Sequence, residues 1–246
     1  MVIALLADVH SNLEALEACL AHARLCGAER YAFLGDLVGY GADPGAVIEI
    51  VARYADEGAI VVKGNHDAAV EKRAGYMNDT STEVIEWTRD ALPATSKAFL
   101  AHLPLCVFDG PMCFVHASAA SPERWDYVDS ITAALKSIEA AQLPYTFSGH
   151  VHDQVLYFQS SAGKVGSFQP LQGSPIAMHS NRRWHALVGS VGQPRDRNPS
   201  AAYALFEVEQ QRIVFHRVAY DHLAAARKIR QAGLPASIAY RVEMGI

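Results

Sequence analysis

The stretch Val2-Ile-Ala-Leu-Leu-Ala-Asp-Val-His10 decides the fold, because six apolar residues lead directly into a carboxylate and an imidazole. A continuous apolar run of this length is typical of a β-strand that is covered on both faces. The next segment, Ser11-Asn-Leu-Glu14, fits a capping box at the start of a helix. The chain is therefore predicted to begin with a buried strand, a loop that carries Asp8 and His10, and a helix.

The same alternation of strand and helix continues outward from this stretch. Gly27 is suited to end the first helix, and Tyr31–Leu34 is predicted to form the second strand. Pro44 is suited to the first turn of a helix that runs to about Asp56, and Ala59–Val62 is predicted to form the third strand. The first part of the chain thus indicates βα units.

The rest of the chain is predicted to contain more strands than helices. Two helices between Thr80 and His102, separated near Leu92-Pro93, precede a hairpin around Gly110-Pro111. This change of pattern favours one α/β domain over residues 1–246, with flanking helices on a mixed sheet or a sheet sandwich. The remaining predicted elements are a helix at Ser130–Ala141, strands at Tyr145–Ser148, Gln154–Phe158, Trp184–Val188, Ala202–Glu207 and Arg212–Val218, and a helix that starts near Tyr220 and breaks at Gly233-Leu-Pro235.

Composition places the chain among ordinary globular proteins. Half of its 246 residues are hydrophobic, 19% are charged, and the net charge of −5 does not favour binding to a polyanion such as duplex DNA. The apolar N-terminal run is too short for a signal peptide or membrane span, so we expect a cytoplasmic protein that does not contact the membrane. The four cysteines lack a C-x-x-C spacing and are predicted to be buried free thiols.

Residue types that bind metals recur where predicted strands end. Strand ends are where α/β sheets hold ligands, since the loops that leave them converge. Each segment alone is a weak signal, but their order along the chain is hard to produce by chance. Glycines before three of them would permit sharp turns or close backbone approach. The five segments are Asp8-Val-His10, Gly35-Asp36, Gly64-Asn-His-Asp67, His116 and Gly149-His-Val-His152.

This ordered set resembles the motifs of the calcineurin-like metallophosphoesterases, which read D-x-H, G-D, G-N-H-[DE], H and G-H-x-H. Leu6–Ala15 and Gly35–Gly41 look like the small prokaryotic phosphodiesterases of that superfamily, and Gly189–Asp196 is also similar to that subgroup. The resemblance covers most of the chain. It implies an α/β fold of two face-packed mixed β-sheets flanked by helices.

The resemblance also implies a pair of divalent metal ions. The first ion would be held by Asp8, His10 and His152, with Asp36 as a bridge between the ions. The second ion would be held by Asp36 together with Asn65, His116 and His150. Such a mixture of imidazole and carboxylate ligands suits Mn, Fe, Zn or Ni better than Ca or Mg, and Mn is the first choice for activity.

In the reaction that this resemblance implies, a hydroxide that bridges the two ions attacks phosphorus. Bound metals lower the pKa of water from about 15.7 towards about 7, and paired ions lie about 3.5–4 Å apart. His66, beside Asn65, would donate a hydrogen bond to the developing charge or protonate the leaving alkoxide. A purely structural role for His66 is the alternative.

Two departures from the family pattern bear on the substrate. Where the Ser/Thr protein phosphatases of the superfamily have an Asp-Arg pair, this chain has Gly39 and Tyr40. The carboxylate that orients the catalytic histidine and an arginine for phosphate are therefore missing, which argues against a phosphoprotein phosphatase. Arg195 and Tyr40 are candidate substrate contacts. An ion pair of Arg195 with Asp196 and simple packing of Tyr40 are the alternatives.

Other aromatic and imidazole side chains have weaker claims. Trp87 could stack on an aromatic leaving group, although packing is the commoner role of such a side chain. The six histidines outside the motifs are predicted to lie on the surface or to be satisfied by hydrogen bonds. They are His22, His102, His179, His185, His216 and His222.

The sequence as a whole predicts a hydrolase of small phosphodiesters. A phosphomonoesterase or a dinucleoside polyphosphate hydrolase on the same site is the enzymatic alternative. A non-catalytic metal-binding scaffold, like the retromer subunit with this fold, is an alternative of another class, although that subunit lacks the histidine that corresponds to His66. A nuclease is not favoured because the chain has no basic excess. The expected partner is a small phosphate ester, nucleic acid is not expected, and the oligomeric state is open.

Overall fold

The computed structural model describes residues 1–71 and 79–246. Eight helices and twelve strands lie in these two ranges. The helices are α1 (Leu13–Leu25), α2 (Pro44–Asp56), α3 (Asn65–Glu71), α4 (Asp79–Ala91), α5 (Ala94–His102), α6 (Ile131–Ala141), α7 (His222–Gln231) and α8 (Ala236–Met244). The strands are β1 (Val2–Leu6), β2 (Arg30–Phe33), β3 (Ile60–Val61), β4 (Cys106–Asp109), β5 (Met112–Val115), β6 (Tyr145–Ser148), β7 (Gln154–Ser160), β8 (Val165–Phe168), β9 (Ile176–Ala177), β10 (Arg182–Val188), β11 (Ala201–Glu207) and β12 (Arg212–Val218).

The strands form two mixed sheets of six strands each. The first sheet has the order β3-β2-β1-β11-β12-β9, in which β1, β2 and β3 are parallel and the other neighbours pair antiparallel. The second has the order β4-β5-β6-β10-β7-β8, in which β5, β6 and β10 are parallel. In each sheet the parallel strands send their carboxyl ends to a common edge.

β1 shows why the two sheets pack face to face. Ile3 and Leu5 point into a core that also contains Phe147 of the second sheet and Phe206 of the first. The alternate residues of β1 belong to a second core on the other face, against α1 and α2. Both faces of the strand are therefore covered, as its continuous apolar run predicts, and the expected architecture of two face-packed mixed sheets flanked by helices is confirmed.

The start of α1 differs from the sequence prediction. The N-cap is Asn12, whose side-chain oxygen accepts a hydrogen bond from Ala15 N at 3.2 Å, and not Ser11. Ser11 has a φ of 53° and its N–H donates to the Leu37 carbonyl, so its backbone is committed to the neighbouring loop. Glu14 pairs with Lys228 of α7 and is not turned back towards the cap. The predicted capping box is therefore wrong.

Other differences are short elements and one cysteine. α3, β8 and β9 were not predicted, because seven, four and two residues are too few to show a clear period. The C-terminal helix is interrupted at Gly233-Leu-Pro235 as expected, and a separate helix, α8, follows. All four thiols are free, but Cys26 is exposed at the end of α1, which corrects the expectation that it is buried. Within the described ranges no helix is long and apolar enough to cross a bilayer.

Candidate metal centre

The polar residues that the sequence singled out follow the ends of parallel strands. Asp8, Asp36 and Asn65 follow β1, β2 and β3 of the first sheet, and His116 and His150 follow β5 and β6 of the second. Because neighbouring parallel strands end at one edge of a sheet, the loops that leave them converge. The two sheets thus bring five buried polar side chains to one place.

The backbone at this place is held in an unusual conformation. Five of the seven nominated ligand residues have positive φ, namely Asp8 (53°), His10 (49°), Asp36 (50°), His150 (67°) and His152 (71°). Such conformations are unfavourable for residues with a Cβ and persist where surrounding contacts enforce them. Here His10 N–H donates to the Asp36 carbonyl and His150 N–H donates to Asp8 Oδ2, both at 2.9 Å. Hydrogen bonds between loops therefore hold the side chains in place.

The glycines before the motifs permit this close approach. A Cβ at Gly64 would lie under 3.0 Å from the backbone and carboxylate of Asp36, and one at Gly149 would meet Asp8 in the same way. No side chain fits at either position without moving a buried carboxylate. The sequence prediction that these glycines serve close packing beside the site is confirmed.

Asp8, His10 and His152 form the first group of candidate ligands, with one ligand atom of each within 4.8 Å of the others. The Nε2 atoms of the two histidines lie 3.1 Å apart. Asp8 Oδ1 lies 3.9 Å from His10 Nε2 and 3.5 Å from His152 Nε2. The other ring nitrogens, Nδ1, face the carbonyls of Val38 and Gln193 at 3.2 and 2.6 Å.

Asp36, His116 and His150 form the second group. His116 Nε2 lies 3.1 Å from His150 Nδ1, 3.1 Å from Asn65 Oδ1 and 3.3 Å from Asp36 Oδ2. His116 Nδ1 faces the Leu34 carbonyl at 2.8 Å, which fixes the ring. All four residues that the resemblance implies for the second ion are therefore adjacent.

Asp36 joins the two groups. Its Oδ2 lies 3.8 Å from His10 Nε2 and 3.3 Å from His116 Nε2, so one carboxylate oxygen faces a histidine of each group. A third group of suitable atoms, His10, Asp36 and His66, overlaps with the first two. The seven residues that the sequence pattern nominated thus form one continuous buried cluster.

The chemistry of the first group fits a cation. Burial holds the pKa of both His10 and His152 well below the usual range, so both rings are neutral. With each Nδ1–H donated to a carbonyl, each Nε2 presents a lone pair, and the two lone pairs face one another. Asp8 Oδ1 is also buried and has no hydrogen-bond partner among the described residues. Three acceptors that converge without a donor are satisfied when a metal ion lies between them.

In the second group, a proton on His116 can take the place of the metal ion when the protein holds no metal. Burial opposes a charge on His116, but the Asp36 carboxylate overcomes this effect and raises its pKa to about 9. Although burial acts against ionisation of Asp36 as well, the neighbouring His116 holds its pKa well below the usual range. Asp36 and His116 are therefore an ion pair in the metal-free protein. Burial raises the pKa of Asp8 to about 7.

His66 lies beside this cluster and its ring is held by aromatic contacts. Its ring centroid is 4.6 Å from that of Tyr40 and 5.0 Å from that of His10, and its backbone N–H donates to Asp36 Oδ1 at 2.8 Å. Burial lowers the pKa of His66, so the ring is neutral. Its Nδ1 is buried and has no partner among the described residues, because Gly39 stands there with no side chain. Among the side chains that the structure describes, none supplies the orienting carboxylate that the sequence motif lacks.

Asp67 is a structural residue of the site to which sequence reasoning assigned no role. Its Oδ1 accepts hydrogen bonds from Leu37 N at 2.9 Å and Val38 N at 3.3 Å, and its Oδ2 accepts one from Gly64 N at 2.9 Å. The side chain is buried, and burial followed by the nearby Asp36 raises its pKa to about 7. Asp67 joins the loops after β2 and β3, and its place in the Gly64–Asp67 motif was the signal for it.

A cleft of about 470 Å³ opens beside the cluster. Volumes of this size hold small molecules. Five described residues of its wall were nominated from sequence, namely Tyr40, Asn65, His66, His150 and Arg195. Five others were missed, because they come from loops or helices without a motif. These five are Ser81, Arg124, Trp125, Tyr127 and Arg241.

Arg195 is directed to this cleft and not to its sequence neighbour. Its Nη2 donates to Gln193 Oε1 at 3.2 Å, and its charge lowers the pKa of His10 and His152. Asp196, the alternative partner, pairs instead with Arg217 at 2.7 Å. The alternative in which Arg195 forms an ion pair with Asp196 is therefore wrong. Tyr40 both packs and lines the cleft, since it is buried and contacts His10 and His66.

The other aromatic and imidazole side chains lie away from the cluster. Trp87 packs against the C-terminal helices. His185 is fully buried with Ser148 Oγ 2.7 Å from Nε2, yet its Nδ1 has no partner in the described chain, so the expectation of a surface or satisfied histidine is wrong there. The same holds for Nε2 of the partly buried His216. The remaining four are exposed or hydrogen-bonded, as expected: His22, His102, His179 and His222.

Comparison with known proteins agrees with this geometry. Residues 1–211 match the calcineurin-like phosphoesterase superfamily domain. Protein MJ0912 of Methanocaldococcus jannaschii is 32% identical over 255 residues, which cover 99% of this chain and 98% of that protein. A metallophosphoesterase from Sphaerobacter thermophilus is 36% identical, with a TM-score of 0.87 over 100% of this chain and 99% of that one. Protein PH1004 of Pyrococcus horikoshii shares the fold, with a TM-score of 0.79 at 20% identity over 100% and 98% of the two chains. The chain therefore belongs to the calcineurin-like phosphoesterase superfamily.

Proposed function

We propose that residues 1–246 form one domain that acts as a dinuclear metal-dependent phosphoesterase on small phosphodiesters. The observation that carries this proposal is the position of Asp36, whose Oδ2 faces His10 Nε2 at 3.8 Å and His116 Nε2 at 3.3 Å. A carboxylate between two buried groups of acceptors is suited to bridge two cations. Two ligand sets follow from this arrangement. One ion would take Asp8, His10, His152 and Asp36, and the other would take Asp36, Asn65, His116 and His150.

The donor set selects the kind of metal. Imidazole nitrogens combined with carboxylate and amide oxygens suit Mn, Fe, Zn or Ni better than Ca or Mg. When bound, such a pair supplies positive charge for the phosphate oxygens and a water that is acidic enough to act as nucleophile near neutral pH. The second ring nitrogens of His10, His116 and His152 each donate to a backbone carbonyl, which orients the ligating nitrogens.

His66 is placed to handle the proton of the leaving group. Hydrolysis forms a bond from the water oxygen to phosphorus and breaks the ester bond, whose electron pair stays on the leaving oxygen. Because Nδ1 of His66 is buried against Gly39, Nε2 is the nitrogen available to that oxygen. The neutral ring can donate a hydrogen bond from Nε2 there, and it can donate a proton only once it has been protonated to the imidazolium. The contacts of the ring with Tyr40 and His10 keep it in place.

Arg195 and Tyr40 are proposed substrate contacts in the cleft. The guanidinium of Arg195 offers a fork of N–H donors that matches two phosphate oxygens. Tyr40 presents its ring between His10 and His66, and its hydroxyl lies 3.3 Å from Ser81 Oγ. With no arginine at position 40, the phosphate is recognised differently from the way protein phosphatases of the superfamily bind it. This difference supports a small substrate over a phosphoprotein.

The proposal is tested with metal-analysed protein and aryl phosphates. We expect Mn²⁺-dependent hydrolysis of a bis-aryl phosphate that is faster than that of a mono-aryl phosphate. We also expect loss of this activity in both His66→Ala and Asp36→Asn. Equal or faster turnover of the monoester would favour the phosphomonoesterase alternative. No activity at all with two bound ions would favour the non-catalytic scaffold, and activity that survives both substitutions would contradict its assignment to this site.

Two matched variants serve as controls. His179 and Asp56 are exposed and lie outside the cluster, so His179→Ala and Asp56→Asn remove the same functional groups from the surface. Both should retain the metal content and the rate of the unmodified protein. Metal analysis separates loss of a ligand from loss of a proton donor, since Asp36→Asn should lower the metal content while His66→Ala should not.

A further inference from the structure

The cleft beside the metal cluster has more positive charge than one phosphate group needs. Three arginines, Arg124, Arg195 and Arg241, line it, and its described wall contains no aspartate or glutamate. This local excess contrasts with the net charge of −5 on the whole chain. Positive charge that accumulates in a concave site of an acidic protein indicates an anionic ligand.

Arg195 and the other two arginines occupy different parts of the cleft. Arg195 is half-buried, and its charge acts on His10, His66 and His152, so it lies close to the cluster. Arg124 and Arg241 are both exposed and lie at the mouth of the cleft, where Arg124 Nε is 3.5 Å from Asp126. Arginines therefore line both the part of the cleft beside the cluster and its solvent-exposed part, and this distribution is suited to a substrate with more than one phosphate.

Arg241 is held in this position by the C-terminal helices. α7 and α8 are joined by the pair Arg230–Glu243, with N–O distances of 2.6 and 2.7 Å. The end of α8 is joined to the loop after β10, where Arg197 N–H donates to the Gly245 carbonyl at 2.7 Å. These helices also bury Tyr40 in their apolar contacts. Because α8 is fixed to both the loop and the cleft wall, Arg241 is presented by a rigid element.

The mouth of the cleft also offers aromatic surface. Tyr127 stacks on His150 with a centroid distance of 4.2 Å and an interplanar angle of 28°, yet 53% of it remains exposed. Trp125 follows the short 3-10 turn Pro122–Arg124 with a φ of 57°, and its ring meets His116 edge to face at 5.9 Å. Exposed rings that are held against fixed histidines are suited to stack on a planar base.

We propose that this cleft binds nucleotides with at least two phosphates, the α8 residue Arg241 and Arg124 holding the outer phosphate and Tyr127 with Trp125 holding the base. This rests on the proposed function, because the inner phosphate is the one that reacts at the metal cluster. It refines the substrate class from a simple diester to a nucleoside polyphosphate. Arg241 lies in residues 212–246, beyond the part of the chain that matches the superfamily domain, whereas Arg124, Trp125 and Tyr127 lie within that part.

The proposal is tested first by binding, which does not depend on turnover. Calorimetric titration of the Mn²⁺-loaded protein with ADP, AMP and adenosine should give the tightest binding for ADP. Arg241→Gln should weaken ADP by about 10- to 100-fold, as expected for loss of a charge-assisted contact, and should abolish its advantage over AMP. Arg227→Gln on the exposed face of α7 is the matched control and should bind all three as the unmodified protein does.

Kinetics then link the subsite to the reaction. The ratio of kcat/KM for diadenosine tetraphosphate to kcat/KM for a bis-aryl phosphate should fall at least tenfold in Arg241→Gln and stay constant in Arg227→Gln. The inference is overturned if ADP binds no more tightly than AMP, or if Arg241→Gln weakens both nucleotides equally. Absence of hydrolysis of any phosphate ester would instead overturn the proposed function, because the binding results would still report on the subsite.

Discussion

Replacement of Gly39 by alanine should inactivate the site through His66 alone. Gly39 has a φ of +91°, and a Cβ at this position would lie well under 3.0 Å from His66 Nδ1 and 3.2 Å from Cγ of the same ring. The neighbouring atoms belong to a buried ring that Tyr40 and His10 hold from other sides, so the ring has little room to yield. The Cβ must therefore displace His66 from its position beside the metal cluster.

Two contributions to the effect can be separated in magnitude. A residue with a side chain in this backbone conformation is destabilised by about 1–3 kcal/mol relative to glycine. A displacement of a catalytic group approaching ~1 Å lowers turnover by about a hundredfold. The three heavy atoms nearest to a Cβ at position 39 all belong to His66, which is not a proposed metal ligand. The metal content should therefore be unchanged. Gly39→Ala is thus expected to lose most of its turnover. Its Tm should fall by about 2–4 °C for each kcal/mol lost from the free energy of unfolding.

The chain offers a control that has the same strain without the clash. Gly58 has a φ of +93° and nothing within 4 Å of its would-be Cβ. Gly58→Ala should show the loss of stability and retain full activity. The assay combines thermal unfolding, metal analysis and turnover of a bis-aryl phosphate. If Gly39→Ala is as active as Gly58→Ala at the same metal content, then His66 is not constrained as described or does not take part in turnover.

Three further predictions concern the loops, the metals and pH. Asp67→Asn replaces one acceptor oxygen by an NH2 group, which then faces the N–H groups of either Leu37 and Val38 or Gly64. This change should lower the free energy of unfolding by about 1–3 kcal/mol in urea, whereas the exposed Asp90→Asn should not. Chelation should lower Tm, and Mn²⁺ at a hundredfold excess over Kd should raise Tm again by adding about 2.7 kcal/mol to the free energy of unfolding. A Tm that is insensitive to both would contradict a metal site. Burial lowers the pKa of His185 from 6.5 to about 3. Between these pH values the unfolded chain binds a proton at His185 and the folded chain does not. The contribution of His185 to the free energy of unfolding should therefore be fully present above pH 6.5 and decline towards pH 3. In urea unfolding between these pH values, the free energy of unfolding of His185→Gln should change less steeply with pH than that of the unmodified protein, by the equivalent of one proton.

The part of the fold that sequence could predict is the part whose pattern is local. The apolar run that forms β1 predicted a strand covered on both faces, and Ile3 and Leu5 are indeed buried on one side and Ala4 and Leu6 on the other. The prediction of the N-cap of α1 was wrong because the choice of capping residue depends on a distant loop. Ser11 N–H is taken by Leu37, which left the cap to Asn12.

The same division holds for the site. The seven nominated ligands converge because each follows a strand, and this rule needs no knowledge of distant contacts. Arg241 and Tyr127 could not be nominated, since they reach the cleft through the packing of α8 and of the loop before α6. Arg195 is an intermediate case. The residue was nominated as a substrate contact, and the alternative ion pair with Asp196 does not form because Arg217, on β12, pairs with Asp196.

Net charge and local charge together restrict the size of the substrate. A polyanion such as duplex DNA must contact a long surface, and the net charge of −5 on the chain disfavours such a contact. These arginines line a cleft of about 470 Å³ and not an extended track. A short phosphate ester can reach the metal cluster and the arginines while the rest of it avoids the acidic surface. The acidity of the chain thus acts as a selection against long substrates, and this argument disfavours a nuclease independently of any motif.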